Sequence, residues 1–478
     1  KKWIESDLIT KTINDYNDNV DEIEQEFDNR YTKQEVDDKF NKLGHTIKRY
    51  GVRRKLGATT AELERIGNAI GLVANADTSL ESYNVVVNDF DTIYPWSHMK
   101  KCIITETGKV VYETDPDYEV TVGDWMVEIP EFYIKHTNDG ENLEYWISEL
   151  GGADYEKVDK FYIGRFKTSE GHKSLPYEAP LVIQSRSQFR TGARNKGSGW
   201  QIVDLMSNYA LRVLYQVEFA HLNSQNELGA GVTGVRYVET DELLLAETNT
   251  NRVVISDASA AYYEVGETVE VGTARGSRAG AAMRLITSIN SIGSGQTEMI
   301  LDGEPFETKL NYIVYGAGQH TGKTLDLTSS SGQSVGRSGR QSISYRGVED
   351  IFGNVYEWTD GALIDDHQAY VADVPSKYSD TITEDYIALG YSNATANGYP
   401  IDMGYDEGFK FAEFPVNIGA GSSTGYCDNY YQNTGLRAPI FGGNFNAGAS
   451  AGLFFWYLYF APSYAYVNIG SRLLYRPE

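Results

Sequence analysis

The chain has little cysteine, little positive charge and no long apolar run. Its 478 residues contain two cysteines, Cys102 and Cys427, far apart in sequence. That excludes a disulfide framework and a cysteine-rich metal site, and each thiol reads as a small buried hydrophobe. Lysine plus arginine number 42 against 67 aspartates plus glutamates, a formal net charge of −25. Nucleic acid and anionic membrane surfaces both need positive partners, so neither is expected. No stretch reaches the roughly 20 apolar residues of a membrane helix. The chain opens Lys1-Lys2-Trp3 with no initiator Met and no signal-peptide pattern, which reads as a piece of a longer polypeptide or a processed form. The histidines at 45, 98, 136, 172, 221, 320 and 367 are scattered, with no pair at metal-ligand spacing. No HExxH, GxSxG or paired-cysteine motif occurs.

Aromatic residues are abundant: 13% of the chain, with 35 tyrosines. With 41% hydrophobic residues, this is a folding chain of two to four domains at roughly 100–200 residues each.

Residues 1–50 carry no proline, and the first in the chain is Pro95. Apolar residues at Ile9, Ile13, Tyr16, Val20, Ile23 and Phe27, and again at Val36, Phe40, Leu43 and Ile47, follow 4-3 spacing. Such a narrow stripe on a charged helix predicts a self-associating coiled-coil stalk over 1–50. A helix restart falls near Thr32 and Glu35, a capping-box pair. Residues 51–91 read as a small connector. From residue 92 the texture changes to short β-type runs: Cys102–Thr105, Lys109–Glu113 and Trp125–Ile134. Residues 200–222 read as an amphipathic helix with Ile202, Leu205, Met206, Tyr209, Val213 and Val217 on one face. Residues 232–322 carry closely spaced strands with Gly-rich turns, predicting a small all-β barrel or sandwich inserted into a domain running from 92–231 to 323–478. The expected class is α+β.

Ala317-Gly-Gln-His-Thr-Gly-Lys-Thr324 fits a loose phosphate-loop pattern. A phosphate loop needs a helix after it, and Leu325-Asp-Leu-Thr-Ser-Ser-Ser-Gly is no helix opening, so a surface loop is expected. Tyr345 to Gly361 (YRGVEDIFGNVYEWTDG) holds a Gly353-Asn354 turn feeding an alternating strand. No charged residue occurs between Phe445 and Asn468, while tyrosines, Gly and Pro462 interrupt any core-strand pattern. Tyrosine gives large rigid contact area and small residues adapt around it, so a recognition surface is favoured over a core strand.

Three of these segments resemble known families. YTKQEVDDKF at 31–40 with residues 50–72 resembles segments of bacteriophage tail-fibre proteins. Gly347, Asp350, Gly353, Asn354, Val355, Glu357 and Trp358 match the GLxDMxGNVWEWT signature of the formylglycine-generating-enzyme branch of the C-type lectin fold, with Tyr356 in place of a Trp. Gly442-Gly443, Gly448, Ala451-Gly-Leu-Phe454, Leu458, Ser463 and Ile469-Gly-Ser-Arg472 resemble the framework of variable proteins diversified by retroelements. The positions between, inside a variable region at 444–468, are Asn446, Ala447, Ala449, Phe455, Tyr457, Tyr459, Phe460, Tyr464, Ala465, Tyr466 and Val467. NNC or NNT codons write every one of these residue types, and none is Lys, Glu, Gln or Met, as adenine-directed change of Asn codons would leave.

The resemblance implies a homotrimeric receptor-binding tail-fibre protein at the distal end of a phage virion. It would contact other tail proteins, and its diversified aromatic surface would bind a bacterial cell-surface protein or glycan. It implies no catalytic residue and no resident cofactor. In the formylglycine branch, carbonyls and acidic or amide side chains near the GNVYEW strand hold calcium, which makes Asn354 and Glu357 candidate calcium ligands; turn-and-strand structure is the alternative, since six or more oxygens are needed. The competing functions are an oxidase of the formylglycine-generating type or another enzyme acting on surface polysaccharide, and a calcium-dependent lectin. The first is disfavoured because its paired C-terminal cysteines are missing, the second because the EPN, QPD and WND triplets are absent.

Overall fold

The computed structural model describes residues 47–152 and 154–477. These are predominantly β, in seven sheets, with four α-helices among the described residues. The expected α+β class is therefore corrected. Residues 1–46 of the expected stalk lie outside the described residues. Its last two, Arg49 and Tyr50, open the strand Arg49–Lys55, which pairs antiparallel with both Glu64–Gly67 and Asn142–Ser148. The strand was hidden by charge. Its inward positions are Tyr50, Val52 and Arg54, and Arg54 is buried because its guanidinium meets Asp402 at 3.1 Å and the Ile401 carbonyl at 2.5 Å.

A six-stranded sheet contains Lys100–Ile104, Val110–Tyr112, Asp124–Ile129 and Phe161–Gly164, and is completed by Trp200–Ile202 and Leu473–Tyr475. The C-terminal strand thus pairs with strands more than 270 residues earlier, as at Leu473↔Ile202. Of the four α-helices, α1 is Arg186–Arg194, α2 Leu205–Phe219, α3 Ser224–Leu228 and α4 Asp257–Ala260. α1 and α2 both start on capping boxes, at Ser185 and Asp204.

Helix α2 is shorter than expected, and its surroundings differ. Trp200–Ile202 is strand, and every residue of α2 except Met206 is buried. The helix is covered on all sides, so its polar face is inside too and must find partners. Asn208 accepts from Arg212, Arg212 faces Glu413 at 3.3 Å, and Glu218 takes Arg346 at 2.7 Å.

The inserted segment forms one five-stranded antiparallel sheet in the order Arg252–Ser256, Gln296–Leu301, Ala281–Gly293, Thr268–Gly272, Ile313–Gly316. It has its own core of Leu243, Val253, Ile255, Val269, Met299 and Val314. Tyr263 lies in irregular structure after α4 and donates its hydroxyl to Asp241 at 2.8 Å. No helix among the described residues is long and apolar enough to cross a membrane.

Candidate functional site

The GNVYEW strand, Tyr356–Trp358, lies in a five-stranded sheet ordered Tyr430–Gln432, Trp456–Leu458, Ile440–Phe441, Tyr356–Trp358, Ile469–Gly470. The topology brings the C-terminal framework to both sides of this strand. Phe441 pairs with Glu357, and Gly470 pairs with Glu357 from the other edge. Framework residues fill the core: Gly442, Gly443, Leu453, Phe454, Leu458, Ile469 and Arg472 are all buried, as is Trp456 between them.

Asn354 and Glu357 are both engaged by protein partners. Asn354, at φ +62°, accepts from Gln319 N at 2.8 Å and donates to Gln319 O and to Asp350. Glu357 receives Lys167 Nζ at 2.7 Å and Arg472 Nε at 2.9 Å. Burial would push the Glu357 carboxyl up, but Arg472 and Lys167 beside it hold it below its ordinary value. A calcium ion would have to displace two cations there, so these residues do not fit one, and the expected ligand role is corrected to a structural one. Among the described residues no cluster of three or more His, Cys, Asp or Glu is placed to hold a metal.

The loop at 317–324 is also corrected: it is largely buried, not a surface loop. Its amides do cradle an anion, but an internal one. Gly322 N and Thr324 N donate to the two oxygens of Glu349 at 2.7 and 2.8 Å, and the Thr324 hydroxyl adds a third bond. Burial, with Asp350 as neighbour, raises the Glu349 carboxyl to about 7.

Both cysteines are buried, and burial pushes each thiol up to about 12. A thiolate nucleophile is thus scarce at neutral pH.

The eleven positions between the framework residues divide into three sets. Asn446, Ala449, Tyr459 and Tyr466 are exposed; Ala447, Tyr457, Phe460, Tyr464 and Ala465 are half-buried. Phe455 and Val467 are buried, which corrects their assignment to the surface. The Phe455 ring is enclosed by Tyr356, Tyr431 and Tyr457, at centroid distances of 5.7, 6.1 and 6.1 Å. It is the floor beneath the others.

From that floor a continuous ridge of rings runs outward. Tyr457 lies 5.7 Å from Tyr459 and 5.2 Å from Phe460. Phe460 stacks face to face on Tyr464 at 3.9 Å, and Tyr464 lies 6.2 Å from Tyr466. Tyr356 and Tyr431, which sequence reasoning left out, anchor the inner end. Tyr356 stands where the resembled signature has Trp, and that departure was the available signal. At the outer end the Tyr466 hydroxyl reaches the turn between Thr268–Gly272 and Ala281–Gly293, where a Cβ at Gly276 would lie 3.0 Å from it.

No protein-family model and no curated protein matches the chain.

The ridge segment is fastened through its main chain. The carbonyl of Phe460 accepts from Ala438 N at 3.0 Å, that of Pro462 from Arg186 N at 3.1 Å, that of Tyr466 from Ile183 N at 3.1 Å, and that of Asn468 from Tyr356 N at 2.9 Å. Backbone bonds are indifferent to side-chain identity, so they hold the loop's path whichever side chains it carries. Side chains on a rigidly held loop are also well placed to bind.

Proposed function

We propose that this chain is a receptor-binding protein of the phage tail-fibre type, and that the ridge formed by Tyr457, Tyr459, Phe460, Tyr464 and Tyr466, with Asn446, Ala447, Ala449 and Ala465, contacts a bacterial cell-surface ligand. The observation that carries this reading is the division of labour in the C-terminal segment. The framework residues that match retroelement-diversified proteins face inward, apart from Gly448 and Ser463, while nine of the eleven intervening positions reach solvent on a loop held by its backbone. That is what tolerance of diversification demands. Stacked tyrosines supply large contact area with little entropy to lose. The chain acts by binding, with no covalent step; the high-lying, buried thiols and the cation-filled Glu357 site agree with this.

Two tests apply. Labelled full-length protein is mixed with a panel of intact bacterial strains. Binding to at least one strain is expected, with a loss of about 30-fold or more in the Tyr459→Ala/Tyr466→Ala variant, since hot-spot residues cost about 2 kcal/mol or more. Unchanged binding in that variant would remove the ridge from the function. Independently, the neighbouring DNA should hold a reverse-transcriptase gene and a near-copy of the sequence coding 444–468 that differs only at adenines; its absence would remove the diversification claim.

A further inference from the structure

Beside the aromatic ridge, helix α1 borders an open groove of about 570 Å³. The two features share a wall. The segment 181–188 that enters α1 is bonded to the ridge through Ile183 N to Tyr466 O and Arg186 N to Pro462 O, and Gln184 between them lines the groove. On α1 itself the groove is lined by Ser187, Gln188, Thr191 and Asn195, which recur at helical spacing along one face and its C-terminal extension. Every one is a neutral hydrogen-bonding side chain.

Charge is arranged to leave this face neutral. Arg186 and Arg190 lie on the opposite face of α1, where Arg190 grips Asp360 at 2.6 and 2.8 Å and both reach Asp380. Lys196, at the groove's end, is paired with Asp124 at 2.7 Å. No carboxylate is among the lining side chains, in a chain of net charge −25. Two groove-lining residues, His172 and Gln184, each carry a buried polar atom, Nδ1 and Oε1, with no hydrogen-bond partner among the described residues. Burial, and Lys196 nearby, lower the His172 pKa and keep the imidazole neutral.

A ligand that suits this surface is uncharged, rich in hydroxyls that both donate and accept, and has apolar C–H faces to lie against rings. We propose that the groove is a saccharide subsite, and that the ligand of the ridge is a neutral hexose-containing surface polysaccharide, one sugar seated in the groove and its neighbours on the Phe460, Tyr464 and Tyr466 rings. This rests on the reading of the ridge as a recognition surface. A groove of this volume is ample for one or two sugar rings.

The test uses the intact chain on an array of neutral hexose oligosaccharides, with sialylated and sulfated ones as anionic controls. Thr191→Ala/Asn195→Ala alters exposed positions and leaves the fold intact, which an unchanged melting temperature verifies. Expected is binding to neutral oligosaccharides, weakened tenfold or more by this pair, with the anionic controls bound more weakly. An array silent for neutral sugars, or affinity unchanged in the pair, overturns the proposal. Cells of a bound strain, treated with periodate or with protease, separate the two levels. Periodate-sensitive binding that the groove pair weakens supports the saccharide. Binding that survives periodate, fails after protease and is lost only in Tyr459→Ala/Tyr466→Ala assigns the ridge to a protein and overturns the saccharide while the recognition surface stands. Binding indifferent to both variants overturns both.

Discussion

The buried framework and the aromatic ridge occupy one 31-residue stretch, 442–472, yet they are held by different chemistry. The framework is fixed by backbone pairing and also by its buried side chains. Arg472 alone donates to Glu357 and to the carbonyls of Gly164, Glu349 and Asp350, uniting strands from three parts of the chain. The ridge is fixed through carbonyls and carries its rings outward. A segment whose bonds run through side chains cannot vary without loss; one whose bonds run through backbone can.

That contrast is broken most severely at the framework. Glu357→Gln leaves Arg472 and Lys167 short of a buried counter-charge, so a loss of about 3–5 kcal/mol in urea unfolding is expected. Phe455→Ala, within the variable stretch but beneath the ridge, is expected to cost about 3–5 kcal/mol as a buried ring is lost. A cost below ~1 kcal/mol would return Phe455 to the displayed set. On the ridge the ordering reverses: Tyr459→Ala and Tyr466→Ala should each change stability by about 0.5 kcal/mol or less while reducing cell binding.

A smaller effect concerns Glu349. Its folded pKa stands at about 7, above the ordinary 4.5. The folded state therefore binds more protons than the unfolded one between these values, so this group's contribution to stability falls as pH rises from about 4.5 to about 7. Glu349→Gln should flatten that part of the stability–pH curve; an unchanged curve would show that the 322–324 amides hold a carboxylate of ordinary affinity.

Much of the local structure was legible in the sequence. The alternating runs at 102–105 and 125–134 and the strand after Gly353-Asn354 follow from period-two patterning and turn chemistry, whereas the framework positions were named by resemblance and the core strand Trp456–Leu458 was read as surface. What was hidden depended on long-range pairing. Arg54 disguised a strand because its partner Asp402 lies 348 residues away. Helix α2 looked amphipathic because nothing local signals that Glu413 and Arg346 wait to meet its polar face. Asn354 and Glu357 were recognisable as oxygen donors, but Lys167 and Gln319, which consume them, were not recognisable as their partners. Phe455 and Val467 shared the codon signature of their neighbours and gave no sign of being buried.

The most direct measurement is a paired library. Codons 457, 459, 460, 464, 465 and 466 are randomised in one arm, and 442, 451, 456 and 472 in the other, and both are sorted for protease resistance and then for binding to cells. Most ridge variants should remain folded and differ in the strains they bind, while most framework variants should be digested. Equal loss of folding in both arms, or ridge variants with unaltered binding, would contradict the account.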